Sequence, residues 1–361
     1  MIYDAVIIGA GPAGATAARL LGKQLKIAII DKRSIDDEQD YTEKCCGGLL
    51  APDAQKLLAR LGLGLPKSVL VDPQLFTVRT IDLNTKRERY YQRHYINMDR
   101  NKFDQWLFSL IPSSVDVFSG CLFQELREHD DGITLFFRQN NKNCSIETKT
   151  LIGADGARSK VRKTISPLKT QPYFAIQEWF TVSKNTPYFS AFFDRDITDF
   201  YAWTIPKNGT LIVGAALDAA AKPVEKFTLL KEKLMKLGFP LETPIKKHSA
   251  FIVRPTKQSH IFPGKNNIAL IGEAAGFISP SSSEGISYAF ESALLLSEAL
   301  QRHPDNAVHC YSKLVNKLRW KIFGKNMKTP FMYHSLLRNL VMCSGLDHVE
   351  VSGPDRREKN L

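Results

Sequence analysis

At 361 residues, 43% hydrophobic and 24% charged, the chain has the composition of a folded globular protein with room for two domains and a sizeable core. Lys and Arg outnumber Asp and Glu 49 to 37, a net charge of +12 that suggests an acidic partner such as phosphate groups, anionic lipid or nucleic acid; of these, nucleic acid is not expected. No run of about 18 apolar residues occurs and the N-terminus lacks a basic leader, so a cytoplasmic protein without a spanning helix is expected.

The first element is a buried strand over Tyr3–Ile8, followed by glycines, the helical pattern ATAARLL and a second strand, KIAII, ending at Asp31. This is one βαβ unit. In VIIGAGPAG, Gly9, Gly11 and Gly14 have the G-x-G-x-x-G spacing, with Pro12 and Ala13 between them. Gly9 makes the turn, Gly11 lets the backbone approach a pyrophosphate, and Gly14 lets the helix pack on the strand. Asp31, with Lys32 beside it, stands where a carboxylate can accept ribose hydroxyls. The motif alone does not separate NAD from FAD.

EKCCGGLL follows. Adjacent Cys45 and Cys46 would make a strained disulfide and lack the C-x-x-C spacing of a redox pair; Cys121, Cys144, Cys310 and Cys343 are scattered. Neither a disulfide framework nor a metal site is expected. Gly47 and Gly48 suit a backbone turn that needs small residues.

Alternation over Phe76–Tyr95 and again over about Tyr173–Val213 predicts one antiparallel sheet assembled from two parts of the chain. Between them lie a helix near Phe103–Leu110, a β-rich portion and the strand TLIGADG; beyond them come the helical KFTLLKEKLMKLG, the strand NIALIGE and the helix ISYAFESALLLSEAL. A nucleotide domain (1–72, 96–170 and 262–305) interrupted by a sheet domain (73–95 and 171–261) is therefore expected, with a C-terminal basic helical segment and tail over 306–361. In YAWTIPKNG, period two puts Tyr201, Trp203 and Ile205 on one face, an aromatic and apolar wall. Gly276–Gly285 is a serine-rich loop of small residues, and Gly285 and Ile286 open a helix whose unpaired N–H groups and positive end favour an anionic group. Arg254 and His260 carry no readable role. From Asn306 to Leu346 there is no carboxylate, while Lys313, Lys317, Arg319, Lys321, Lys325, Lys328 and Arg338 interleave with apolar residues. That pattern reads as a solvated basic face, or as one that meets a membrane.

DRNKFDQWL, GADGARSKVR and IGEAAGFISPSSSEGISYAF occur in the order and spacing of FAD-containing oxidoreductases of the aromatic-hydroxylase type. With KCCGG and YAWTIPKNG, the chain resembles the geranylgeranyl reductase family within that group. The resemblance implies an α/β fold: a Rossmann-like FAD-binding domain interrupted by an antiparallel-sheet substrate domain, with C-terminal helices. It implies FAD as cofactor, with NAD(P)H or a protein electron donor bound transiently. Arg100 would reach FAD, and Asp155 and Gly156 would lie near its pyrophosphate. Glu273, next to Gly272, stands where the family usually has aspartate and would take the ribitol hydroxyls. Lys44, Cys46, Gly47 and Gly48 match K-x-C-G-G, a loop that approaches the isoalloxazine from the substrate side, with Cys45 at the variable position. Cys46, Tyr201 and Trp203 would then face an apolar small-molecule or lipid substrate. The implied activity is reduction of double bonds in an isoprenoid-like molecule. A flavin monooxygenase or halogenase acting on an aromatic compound is the alternative, and a flavoprotein binding or regulatory module at the inner face of the membrane is a third reading.

Overall fold

The computed structural model describes residues 2–34, 44–166, 172–183 and 186–351. Two eight-stranded sheets organise them. The first is built around the strand Ile2–Ile8, which pairs in parallel with Ile27–Ile30 on one side and Lys142–Gly153 on the other. Asp116–Phe118 and Ile268–Leu270 extend it, again in parallel. Parallel strands covered on both faces must be apolar throughout, and every residue from Ile27 to Ile30 is buried. Helices Pro12–Leu21 and Ile286–Arg302 pack against each other and supply Leu21, Leu296 and Leu300 to this core. Each such side chain contributes about 1.5–3 kcal/mol by leaving water.

The second sheet runs in the order Lys246–Val253, Pro172–Thr181, Thr210–Asp218, Ala202–Lys207, Tyr188–Phe193, Leu75–Asp82, Arg87–Asn97 and Leu49–Leu50. Alternation sorts its faces. Leu211, Val213, Ala215 and Leu217 pack beneath the helix Pro223–Lys236 with Phe227, Leu230 and Leu234, while Ile212 and Ala216 look the other way, with Trp203 and Ile205. One feature differs from the expected antiparallel sheet. The seam where its two parts join, Tyr188–Phe193 against Leu75–Asp82, is parallel. The two segments reach each other from distant parts of the chain rather than through a hairpin, so no tight turn imposes an antiparallel direction.

Four helices, Ala307–Leu314, Asn316–Met327, Thr329–Tyr333 and Ser335–Ser344, follow. Tyr311 anchors the first by donating to the Leu270 carbonyl at 2.9 Å. The basic residues here are not one solvated face. Lys321 pairs with Asp53 and Glu291, Lys325 with Asp53, and Arg338 is buried against the fully buried Asp82 at 2.8 Å. The carboxylates missing from this segment are supplied by partners elsewhere in the fold.

Candidate functional site

A cavity of about 1040 Å³ lies between the two sheets. Its nucleotide-like end is lined by Gly11, Pro12 and Ala13 at the start of one helix and by Gly285, Ile286 and Ser287 at the start of another. Neither helix has a side-chain cap among the described residues. Two sets of unpaired N–H groups, with their positive dipole ends, thus open onto one space, an arrangement suited to a pyrophosphate and an electron-rich ring. Gly9 holds φ +103° in the turn, and a Cβ on Gly14 would fall 1.8 Å from the Gly9 carbonyl oxygen, so helix and strand meet with no room for a side chain. A Cβ on Gly11 would instead meet none of the described residues within 4 Å. The room beside it is cavity, as an approaching cofactor requires.

The other site residues read from the sequence fall into two groups. Lys44, Cys46, Gly47, Gly48, Arg100, Gly156, Gly272, Glu273, Tyr201 and Trp203 line the same cavity. Asp155 lies just behind its wall: one carboxylate oxygen accepts from the Lys160 and Val161 N–H groups, capping the helix Lys160–Ile165, while the other is buried without a hydrogen-bond partner among the described residues. Burial raises its pKa. Asp31 and Lys32 stand apart. Neither is in the wall formed by the described residues; Asp31 accepts from the Ala10 N–H and from Arg33 Nε at 3.0 Å and Nη2 at 3.1 Å, and Lys32 is exposed. Its acceptors are committed within the chain, so contact with a ribose requires Arg33 to give way.

The K-x-C-G-G loop is held by buried charge. Gly48, at φ +62°, has its carbonyl bound by the Met98 N–H at 2.9 Å and by Lys207 Nζ at 3.3 Å. Lys207 Nζ also donates to Asn97 Oδ1 at 2.7 Å and the Met98 carbonyl at 2.6 Å, and burial pushes its pKa down to about 8. Arg100 opens the helix Arg100–Ser109, capped by Asp99, and grips Asp104 one turn on at 2.8 and 3.2 Å. Burial works to raise the Cys46 thiol, but the Arg100 guanidinium, the Gly48 N–H at 3.5 Å and the Lys44 ammonium outweigh it and hold its pKa below the ordinary value. Cys45 goes the opposite way, raised to about 12 by burial and by the neighbouring Cys46. Lys44 is lowered chiefly by Arg100 and then by burial, while burial raises Glu273, one of whose oxygens accepts from the Val253 N–H at 3.0 Å.

Several contributors escape a reading of the sequence. Three consecutive carbonyls of the serine loop are each held by a distant side chain: Pro280 by Arg254 at 3.1 Å, Ser281 by Tyr333 at 2.6 Å and Ser282 by Tyr201 at 2.7 Å. Arg254 thus acquires a role, its guanidinium 4.3 Å from the Phe200 ring centre and 4.7 Å from that of Tyr333. The Tyr201 ring lines the cavity, while its hydroxyl is committed to the loop. Glu284 accepts from Tyr95 at 2.7 Å and Arg93 at 2.8 Å on the cavity wall. Its place in SSEGIS was the only local sign; Asp104, at i+4 from Arg100, had a clearer one.

This is a dinucleotide site of the flavoprotein kind, and comparison with known proteins agrees. Residues 2–229 match the FAD binding domain family, and the chain belongs to it: an FAD-dependent oxidoreductase family. "Protein CbrA" of Escherichia coli O9:H4 (strain HS) is 40% identical over 348 residues, 96% of this chain and 94% of that protein. Among solved structures, a geranylgeranyl bacteriochlorophyll reductase-like protein from Thermoplasma acidophilum superposes with a TM-score of 0.78 at 22% identity, covering 94% of this chain and 90% of the other. CmlS, a flavin-dependent halogenase, gives 0.71 at 16% identity, covering 99% and 70%. At these identities the structural likenesses show the fold.

Proposed function

We propose that this FAD-dependent enzyme reduces double bonds of an apolar, isoprenoid-like molecule. The observation that carries the reading is the cavity's second end. Tyr201, Trp203, Ile205, Phe189 and Val78 form an apolar wall there, and the loop bearing Cys46 presses on it, a Cβ on Gly47 falling 2.4 Å from Ile205 Cδ1. Such a wall suits a hydrocarbon and leaves a sugar or an acid without partners. When bound and reduced, FAD supplies hydride equivalents, drawn from NAD(P)H or a protein donor that binds transiently. The chain supplies the proton. Sγ of Cys46 gives its hydrogen to the second carbon of the double bond, and the thiolate left behind is stabilised by Arg100, Lys44 and the Gly48 N–H.

The test is oxidation of the chemically reduced protein by geranylgeraniol without oxygen. Cys46→Ser should retain FAD yet slow this step by about 10²- to 10⁴-fold, and Cys45→Ser should change little. Substrate-stimulated O₂ consumption with hydroxylation or halogenation of an aromatic compound, indifferent to both cysteines, would establish the monooxygenase or halogenase alternative instead.

A further inference from the structure

We infer that the C-terminal helices form a face that sits on an anionic lipid bilayer, and that the cavity opens into that face, so that its apolar ligand passes from lipid to active site without crossing water. The inference rests on the apolar-substrate reading above and adds the surface that serves it.

The apolar surface of the molecule is concentrated here. Among the described residues, ten of the nineteen large apolar side chains that are exposed lie between Leu314 and Val349. Trp320, Phe323 and Met327 are spaced i, i+3, i+7 along one stripe of the helix Asn316–Met327, with Trp320 and Met327 each 64% exposed. Leu336 and Leu340, one turn apart on Ser335–Ser344, are 68% and 65% exposed. A patch of this kind on a folded protein marks an interaction surface.

The same segment forms the mouth of the cavity. Phe331, Val341, Leu346 and Val349 are exposed and also line the cavity wall, beside Asp347 and His348, so apolar surface reaches from the outer face to the cavity mouth. Charge selects the occupant. With Lys321, Lys325 and Arg338 turned to inward carboxylates, Lys313, Lys317 and Lys328 remain exposed in the segment that carries the apolar stripe, and none of the three makes a salt bridge among the described residues. A second copy of the chain would bring the same cations face to face across a symmetric interface, whereas an anionic bilayer complements both the cations and the apolar side chains.

The FAD-loaded full chain is sedimented with vesicles of phosphatidylcholine mixed with phosphatidylglycerol, and with phosphatidylcholine alone, at low and high salt. The wild type should bind the anionic vesicles at low salt and be released by high salt. Leu336→Asp combined with Leu340→Asp should weaken partitioning roughly tenfold or more while the flavin absorbance stays. A wild type that remains in solution with both vesicles at low salt, or a double variant that binds equally, overturns the inference; so does a dimer in light scattering that Leu340→Asp dissociates. Oxidation of the reduced protein by detergent-dispersed geranylgeraniol is followed in parallel. If it proceeds without vesicle binding, the docking face falls and the function stands; if vesicles bind and no oxidation occurs, the substrate reading falls and the docking face stands.

Discussion

The glycine turn at Gly9–Gly14 and the Lys44–Gly48 loop border the same cavity and are held in opposite ways. The first needs only backbone sterics: a positive φ at Gly9 and a contact at Gly14 too close for any side chain. The second is clamped by ionisable groups brought from afar, Lys207 beneath it and the Arg100–Asp104 pair beside it. A turn fixed by sterics fails when a methyl group is added at Gly9 or Gly14. One fixed by buried charge responds to pH.

The largest break should come from Gly14→Ala. Its Cβ would overlap the Gly9 carbonyl, so the helix must move away from the strand, at a cost of about 3 kcal/mol or more and with loss of FAD. Urea unfolding and flavin absorbance would measure both. Lys207→Met attacks the other loop, leaving Asn97 Oδ1 and the Met98 carbonyl without their donor, and should cost about 1–3 kcal/mol. The pH response separates the two cases. Burial lowers Lys207 to about 8 in the folded protein, against about 10.4 unfolded. Between these values the unfolded chain holds a proton that the folded chain has released, so this group's contribution to stability grows as pH rises from about 8 to 10.4 and is lost as pH falls through 8. Stability measured across that window should show the rise in wild type and lose it in Lys207→Met. The smallest effect belongs to Lys32→Ala. An exposed residue away from the cavity wall should change stability by no more than about 0.5 kcal/mol and leave FAD retention as it was.

What could be read in advance follows the same division. The strands Ile2–Ile8 and Ile27–Ile30, the helix after Gly11 and the helix Ile286–Arg302 carry their instructions in local spacing, and the period-two face of Trp203 and Ile205 was equally plain. Lys207, Arg254 and Tyr333 were not. Each acts on a group at least 26 positions away, and Lys207 reaches Asn97 across 110. No helical or strand period relates such pairs, so only the folded chain reveals them. The C-terminal segment shows the reverse error. Its run of cations suggested a solvated face because the opposing Asp53, Asp82 and Glu291 lie far away in the sequence.

The parallel seam of the second sheet also sets a schedule for synthesis. Thr77 finds its partner in Tyr188, so the strand Leu75–Asp82 leaves the ribosome with one edge bare and waits for more than a hundred further residues. At about 5–20 residues per second that delay is roughly 5–20 s. Its hairpin partner Arg87–Asn97 covers only the other edge. During that interval the nascent chain displays an unpaired strand, a template for pairing with other chains. Expression conditions that slow translation between these segments should therefore lower the yield of folded protein more than the same slowing imposed after Phe193.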